Sequence, residues 1–407
     1  MVKADLIIYN IGELIYFNEP IRKVNENNTK ILNNYGIAIK EGKILDVNSS
    51  DYIKTKYESQ NIIDAEKSLV TSGLIDMHTH ALFAGSREDE LYKKLTGISY
   101  SQILREGGGI YKTVKYTREA SFESLKNRLD KVLNYALING TTTIEIKSGY
   151  GLDLENEIKM LNVINTIKEK YDVIPTLLAH VIPKEFDEND YIDYFINKIM
   201  PEVAKLRLAK YIDVFCDENA FTLDQTRRIF NQALKLGFRL RLHADQIKYI
   251  GCSKLINEYP IDSIDHLENC PQENLEEIAR SDTVIGLLPA STISMLDNAK
   301  PKIESVKGKA LFALGSDYSA NSPMISMQTA IDLAIYYLHF TPIETLALST
   351  INSAYSLRLE NKGKIKIGYD ADLIIWDLEN INQLGYYWGY NRINKIINKG
   401  KVITVKL

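Results

Sequence analysis

Five of the six histidines lie at the ends of short apolar runs, where they could bind a metal ion or transfer a proton. The spacing is tightest in GLIDMHTHALFAGSRE, residues 73–88, where one residue separates His78 from His80. Residues two apart on a strand face the same side, so both imidazoles would project into one site. A lone pair of this kind is more often two polar residues leaving a buried strand. Ligands from elsewhere in the chain are therefore needed to indicate a metal site.

Further candidate ligands end other apolar runs, namely His180, His243, His266 and Asp317. Three imidazoles and one carboxylate suit Zn²⁺, iron or a similar transition ion. We predict that one Zn²⁺ or Fe³⁺ per subunit is held by His78, His80, His243 and Asp317. The sequence leaves the choice between zinc and iron open. The sixth histidine, His339 in AIYYLHF, is expected to be an ordinary packed or surface residue.

A single ion is favoured because the expected bridging ligand for a second one is missing. Barrel hydrolases often use a carboxylated lysine at the end of the fourth strand, but the run that would form this strand ends in Cys216-Asp217-Glu218. Lys147 ends a different run. We expect it to form an ion pair with a nearby carboxylate.

Eight strand-like runs position these residues and alternate with helical patterns such as 121–138 and 156–170. Alternation of this kind predicts parallel βαβ units, and eight of them predict a closed (β/α)₈ barrel of the α/β class. Active sites of such barrels form at the carboxyl ends of the strands, where the ionisable residues are found here. The runs are GLIDMHTH (73–80), TTTIEIKSG (141–149), VIPTLLAH (173–180), YIDVFCDE (211–218), RLRLHADQ (239–246), SIDHLE (263–268), TVIGLLPA (283–290) and LFALGSD (311–317).

The two ends of the chain resemble each other. ADLIIYN at 4–10 is echoed by ADLIIWD at 371–377, and each is followed by a Gly-Lys turn and a β-branched stretch, at 42–47 and 400–405. Short apolar runs bounded by Gly, Asn and Asp are typical of hairpins. We predict a small β-sandwich domain built from both termini. The predicted division is 1–66 for its N-terminal part, 67–357 for the barrel and 358–407 for its C-terminal part.

Composition excludes several classes of partner. The net charge is −4, from 49 basic and 53 acidic residues that are mixed along the chain without a polybasic run, so we expect neither nucleic acid nor a membrane as partner. The N-terminus does not resemble a signal peptide, and no apolar run reaches about 20 residues. Three cysteines, Cys216, Cys252 and Cys270, fit a reducing cytoplasm better than a disulfide scaffold. We therefore expect a cytoplasmic enzyme with a small-molecule substrate.

The chain contains several longer motifs, which are DMHTHALFAGSRE, REGGGIYKTV with TREAS, EIKSGYGLD with EIKML, DVFCDENAF, RLHADQ and DHLENC. They resemble motifs of the amidohydrolase superfamily, and they are specifically similar to those of the imidazolonepropionase family. The resemblance runs in order from about residue 70 to 320. It implies hydrolysis of 4-imidazolone-5-propionate to N-formimidoyl-L-glutamate in histidine degradation by a metal-activated water, and barrels of this kind often form homodimers.

The same resemblance implies roles for individual residues. Asp317 would transfer protons, His266 would orient the nucleophile or stabilise the oxyanion, and His180 would contact the ring. Two positions depart from the family pattern. Gln246 stands where relatives commonly have a glutamate, and a glutamine cannot act as a base. The segment that begins at Asp317 reads DYSANS, where the family pattern is D-x-N-P-G-S. The residues expected to bind substrate are Arg87, Tyr150, His180, Gln246, Ser319, Asn321 and Ser322.

Alternatives remain open at this point. Arg87 suits the propionate carboxylate, but it could instead form a surface ion pair with Glu88 or Asp89. Another cyclic-amide hydrolase or a heterocycle deaminase would share the metal ligands. A non-catalytic scaffold barrel is a third possibility, which the intact set of candidate ligands disfavours.

Overall fold

The computed structural model describes residues 1–98, 100–296 and 299–404. Its strands fall into a terminal group and a central group that alternates with helices. In chain order they are β1 (Val2–Lys3), β2 (Leu6–Phe17), β3 (Thr29–Lys40), β4 (Lys43–Ser49), β5 (Tyr57–Glu58), β6 (Ile62–Asp64), β7 (Leu69–Ser72), β8 (Leu74–Asp76), β9 (Thr141–Lys147), β10 (Asp172–Ala179), β11 (Tyr211–Cys216), β12 (Arg239–Ala244), β13 (Ile261–His266), β14 (Val284–Leu287), β15 (Leu311–Leu314), β16 (Leu373–Trp376), β17 (Ile393–Asn398) and β18 (Lys401–Thr404).

Two of the helices correspond to the helical patterns predicted at 121–138 and 156–170. These are α5, and α6 with the 3₁₀ turn that follows it at Ile167–Glu169. Side-chain capping defines where several helices begin. At the start of α9, the side chains of Thr222 and Gln225 each accept a hydrogen bond from the backbone N–H of the other residue. The helices are α1 (Ser50–Lys56), α2 (Glu88–Leu95), α3 (Tyr100–Arg105), α4 (Ile110–Glu119), α5 (Phe122–Ile138), α6 (Leu154–Thr166), α7 (Glu188–Tyr194), α8 (Met200–Lys205), α9 (Leu223–Lys235), α10 (Gln272–Ala279), α11 (Pro289–Ser294), α12 (Met327–Tyr336), α13 (Pro342–Leu348) and α14 (Ile351–Ser356).

The predicted eight-stranded barrel is confirmed. Strands β8 to β15 form one sheet in sequence order, and every neighbouring pair is parallel. The first strand is shorter than the predicted run, because its ladder with β9 ends at Asp76. Beyond that residue the chain pairs with the end of the eighth strand instead, through a parallel bridge between Thr79 and Tyr318. This bridge closes the barrel.

The predicted additional domain contains strands from both termini. They form one eight-stranded sheet with the order β18-β17-β16-β7-β2-β3-β4, and β6 pairs with β2. Its edge strand β4 contacts the segment that leads into β16, through a bridge between Lys43 and Asp370 and a hydrogen bond from Ala371 N–H to the Gly42 carbonyl. The sheet thus turns back on itself around a core of its own, which includes Ile8, Ile37 and Leu373.

The predicted boundaries at 66/67 and 357/358 remain a proposal. β7 pairs with β16 and β2 in the terminal sheet, and β8 opens the barrel sheet. The chain passes between the two sheets at Gly73, where a Cβ atom would meet the Thr142 side chain at 2.3–2.9 Å. This favours a first boundary several residues after 66.

The sequence analysis did not predict a disulfide, but the structure contains one. Cys216 and Cys252 form a disulfide, with Cα atoms 5.9 Å apart, whereas Cys270 is a buried free thiol. The pairing arises because Cys216 ends β11 and Cys252 begins a 3₁₀ turn after the neighbouring strand β12. Among the described helices, none is long and apolar enough to cross a bilayer.

Candidate metal centre and substrate cavity

Four of the predicted ligands converge at the carboxyl end of the barrel. The Nε2 atoms of His80 and His243 are 3.3 Å apart. The Oδ1 atom of Asp317 lies 3.3 Å from Nε2 of His80 and 3.5 Å from Nε2 of His78. All four side chains are nearly or completely buried. Residues in the fifth barrel strand and just after the first and eighth strands therefore present their ligand atoms to one point.

The hydrogen bonds of these imidazoles fit a bound cation. Nδ1 of His78 lies 2.6 Å from Asp265, and Nδ1 of His243 lies 3.0 Å from Asp213. An imidazole that donates its Nδ1 proton to a carboxylate keeps a lone pair on Nε2. Both lone pairs point at the Asp317 carboxylate or at another imidazole, and Nε2 of His78 has no hydrogen-bond partner among the described residues. Such an arrangement of acceptors is favourable when a cation lies between them.

A buried ion cluster lies behind His243. Lys147 is fully buried and contacts Glu145 at 2.8 Å and Asp213 at 2.9 Å, as the sequence predicted for this lysine. Burial alone would lower the pKa of Lys147, but the two carboxylates outweigh it and raise that pKa. Burial likewise opposes ionisation of Asp213, yet His243 and Lys147 hold its pKa well below the ordinary value. Asp213 is thus a carboxylate that fixes the orientation of His243.

A second buried pair lies behind His78. Asp265 accepts a hydrogen bond from Arg241 at 3.1 Å, and Arg241 also donates to the Met77 carbonyl at 3.0 Å. Burial lowers the pKa of His78 well below its usual value, and neighbouring cationic groups lower it further. A neutral imidazole is the form that binds a metal ion.

His266 and Asp317 carry opposite charges at neutral pH. Burial disfavours the charged form of His266, but Glu268 and then Asp317 outweigh it and raise the pKa of His266 to about 9. For Asp317, burial is outweighed by a hydrogen bond with His80 and by the charges of His80 and His266, so its pKa is lowered. Both residues have positive φ, 81° and 49°, a strained backbone that non-glycine residues rarely adopt. Both side chains lie close to His78 in the cluster of potential ligand atoms.

A cavity of about 940 Å³ opens above this point. Nearly all of the predicted site residues meet on its wall, although they come from separate strands and loops. The supporting carboxylates Asp213, Asp265 and Glu145 are absent from the part of the wall that the structure describes. The predicted residues that line it are His80, Arg87, Tyr150, His180, His243, Gln246, His266, Asp317, Ser319 and Asn321.

One side of the cavity is formed by His180 and Tyr150. The His180 ring stacks on His80, with centroids 5.1 Å apart, and the Tyr150 ring is 5.2 Å away. Nδ1 of His180 is 3.1 Å from the Gly149 carbonyl, so it carries the proton and leaves Nε2 as an acceptor. Burial lowers the pKa of His180 well below its usual value, which keeps this ring neutral.

The turn that carries Tyr150 is organised by a buried carboxylate that the sequence analysis did not single out. Glu157 accepts hydrogen bonds from the N–H groups of Gly149, Gly151 and Leu152 at 2.8–3.0 Å. Gly149 has φ of 100°, and a Cβ atom there would meet Leu178 and His180 at 3.0–3.1 Å. This is why a glycine is required before the tyrosine.

Arg87 does not form the alternative surface pair with Glu88 or Asp89. Its side chain is almost fully buried, and its Nε and Nη2 atoms lie 2.8 and 2.7 Å from Oε2 of Glu90. The other carboxylate oxygen of Glu90 accepts the Gly109 N–H at 2.7 Å. Glu90 therefore ties the predicted carboxylate-binding residue to the Gly-rich segment.

The remaining predicted residues differ in position. Gln246 lies on the cavity wall, on a loop whose N–H groups at 246, 247 and 248 all donate to Asp217 at 2.7–2.9 Å. Ser319 lines the cavity, and its hydroxyl accepts the Ser322 N–H at 3.1 Å. Ser322 itself is fully buried with its hydroxyl 3.2 Å from that of Ser294, so it is not brought to the described cavity wall.

Sequence reasoning missed the carboxylates that orient the site, chiefly Glu90, Glu157, Asp213, Asp217 and Asp265. A usable signal was present at one of them. Asp213 lies inside the strand run YIDVFC, which is otherwise apolar, and an ionisable residue at such a position needs a buried partner.

Comparison with known proteins identifies relatives over nearly the whole chain. The amidohydrolase family profile matches residues 69–406. An imidazolonepropionase of Pyrobaculum arsenaticum is 45% identical over 398 residues, which is 97% of this chain and 99% of the relative. An imidazolonepropionase of Streptococcus pyogenes serotype M3 is 36% identical over 98% of both chains.

Solved structures with similar folds are distant in sequence. An adenosine deaminase from Xanthomonas campestris with bound zinc has a TM-score of 0.73 at 16% identity, covering 99% of this chain and 94% of its own. A triazine hydrolase variant has a TM-score of 0.75 at 15% identity, covering 98% and 94%. These similarities show the fold.

Proposed function

Because the chain belongs to the amidohydrolase family, we propose that it hydrolyses the cyclic amide of 4-imidazolone-5-propionate to give N-formimidoyl-L-glutamate, a step of histidine degradation. The near full-length similarity to imidazolonepropionases carries this choice of substrate. A cavity that combines a cluster of metal-ligating side chains with Arg87 supports it.

The proposed cofactor is one Zn²⁺ or Fe³⁺ per subunit, held by His78, His80, His243 and Asp317. Such an ion lowers the pKa of a bound water and polarises a carbonyl group. Asp213 and Asp265 hold two of the imidazoles so that each Nε2 lone pair faces the ion. Ligands of mixed nitrogen and oxygen type accept either metal.

Proton transfer is assigned to Asp317 and charge stabilisation to His266. An ionised Asp317 can accept a proton from the attacking water and deliver it to the ring nitrogen when the amide C–N bond breaks. The water oxygen then remains in the new carboxylate. His266, which is cationic at neutral pH, can donate to the oxygen on which negative charge develops.

Substrate orientation is assigned to the cavity wall. Nε2 of His180 can accept an N–H of the imidazolone ring, because its Nδ1 proton is used by Gly149. Gln246 can donate or accept at the ring edge. Arg87 and Tyr150 would meet the propionate, and Ser319 and Asn321 complete that end of the cavity.

We further propose that the enzyme acts in the cytoplasm as a homodimer on this small molecule, without a nucleic acid or membrane partner. The absence of a polybasic run in the sequence supports the proposal that neither nucleic acid nor a membrane is a partner.

A direct assay tests the proposal. Purified protein is incubated with freshly prepared imidazolone propionate, and the loss of ultraviolet absorbance is followed together with ammonia release. We expect absorbance loss without ammonia, which identifies ring hydrolysis rather than deamination. The control is the same substrate incubated without protein, which gives the background rate of absorbance loss. No turnover by the metal-supplemented protein would contradict the proposal.

A further inference from the structure

The positive charge of Arg87 is already matched inside the protein. Two of its nitrogens contact a single oxygen of Glu90, and both residues are almost completely buried. An ion pair of this kind presents little net charge to a ligand. Arg87 can therefore supply hydrogen bonds and shape to a substrate carboxylate, but the charge that would select an anion must come from another residue.

Lys94 occupies the position from which such a charge could act. It is one helical turn after Glu90 on α2, and it lines the same cavity. Its Nζ donates to the Ser294 carbonyl at 2.8 Å and to Oδ1 of Asn321 at 3.3 Å. Both acceptors are neutral, and no carboxylate of the described residues lies within 4 Å of Nζ. An ammonium group has three donors, so one remains for a ligand.

Asn321 links the two cations. Its Oδ1 accepts from Lys94 and also from Nη2 of Arg87, at 3.4 Å. An acceptor shared by an ammonium and a guanidinium marks the place where both can reach one anion. Burial, and then the charge of Arg87, lowers the pKa of Lys94, and the charge of Glu90 only partly opposes them. A bound carboxylate would add to that opposition, because it stabilises the charged ammonium.

We propose that Lys94 supplies the net positive charge that selects the substrate carboxylate, while the Arg87–Glu90 pair supplies geometry. The identity of the substrate rests on the proposed function, but the preference of this cavity end for a carboxylate does not. Arg105 and Lys184 also line the cavity. Both are exposed to solvent, where screening weakens their effect on a ligand.

Equilibrium binding tests this proposal without turnover. The probes are 3-(imidazol-4-yl)propionate, which has no amide to hydrolyse, and its neutral propionamide. Their dissociation constants are measured by calorimetry on the full-length protein for wild type, Lys94→Met, Lys94→Arg and Lys93→Met. Lys93 is the matched control, because it is the adjacent lysine on α2 and does not line the cavity. Its Nζ atom instead pairs with Glu106 at a distance of 3.0 Å.

We expect Lys94→Met to weaken binding of the carboxylate probe by about 10-fold or more, the usual range for a hydrogen bond to a charged group. Binding of the propionamide should stay within about twofold, which also shows that the variant is folded. Lys94→Arg should recover most of the loss, and Lys93→Met should match wild type.

Equal losses for both probes, no loss for either, or no binding of the carboxylate probe to wild type would overturn the proposal. Failure of the proposed function looks different. In that case imidazolone propionate is not turned over, yet the carboxylate probe still binds in a manner that depends on Lys94.

Discussion

Replacing Lys147 by methionine should strongly destabilise the protein. Lys147 is completely buried, and its ammonium is the direct counter-ion of Glu145 and Asp213. Arg241, another buried cation of this region, contacts Asp265 instead. The substitution therefore removes the ammonium that contacts both Glu145 and Asp213, and only the His243 contact of Asp213 is retained.

The size of the effect follows from these contacts. At an effective dielectric constant of about 20, each contact at 2.8–2.9 Å has a gross attraction of about 6 kcal/mol. Removing the ammonium also removes its own desolvation penalty of several kcal/mol, so the net loss expected for a broken buried pair is about 3–5 kcal/mol. Lys170→Met is a control on the exposed Lys170–Asp130 pair, where the loss should be less than about 1 kcal/mol.

Urea unfolding followed by circular dichroism measures both changes, from the midpoint and the slope. Glu145→Gln introduced with Lys147→Met should recover part of the loss, because one unpaired charge is then removed. The raised pKa of Lys147 means that its contribution persists at neutral pH and is lost only as pH rises above the ordinary lysine range. A loss below about 1 kcal/mol for Lys147→Met, or no recovery in the double variant, would refute this reasoning.

Four further outcomes are expected. Metal analysis of the purified protein should find about one transition ion per chain, and two ions would contradict a single-metal site. His243→Ala should lose both the ion and turnover, since the substitution removes a ligand; near-normal activity would exclude this assignment. Arg87→Ala should impair use of the propionate substrate much more than that of an imidazolone ring without the tail, and equal losses would assign Arg87 a structural role. Reduction of the Cys216–Cys252 disulfide, which joins residues 36 apart, should lower the free energy of unfolding by about 3–4 kcal/mol, whereas a Cys216→Ala/Cys252→Ala variant should not respond to reductant.

The sequence was sufficient to predict the barrel, because alternation of apolar strands with amphipathic helices is a local property. It also predicted which residues meet, since ionisable residues at strand ends share one end of a barrel. The carboxylates that hydrogen-bond to these residues were harder to predict from the sequence. Asp213 and His243 are 30 residues apart, and their contact depends on the pairing of β11 with β12.

Two structural features that the sequence did not predict have the same origin. The Cys216–Cys252 disulfide depends on where the loop after β12 returns, and no spacing rule in the sequence gives that path. Ser322 resembles a substrate-binding residue in the motif, but the turn that begins at Ser319 directs it toward Ser294. Loop geometry of this kind is set by tertiary contacts rather than by residue type.

The closure of the barrel has a consequence for how the protein opens. The first and eighth strands are joined by Asp317 N–H to the His78 carbonyl, His80 N–H to the Tyr318 carbonyl, and Ser316 N–H to Asp76, all at 2.9–3.0 Å. The segments that close the barrel thus carry three of the proposed ligands. An ion bound by those side chains would cross-link the first and eighth strands. Amide hydrogens at 80, 316 and 317 should then exchange faster after chelation, while those of the central strands change little.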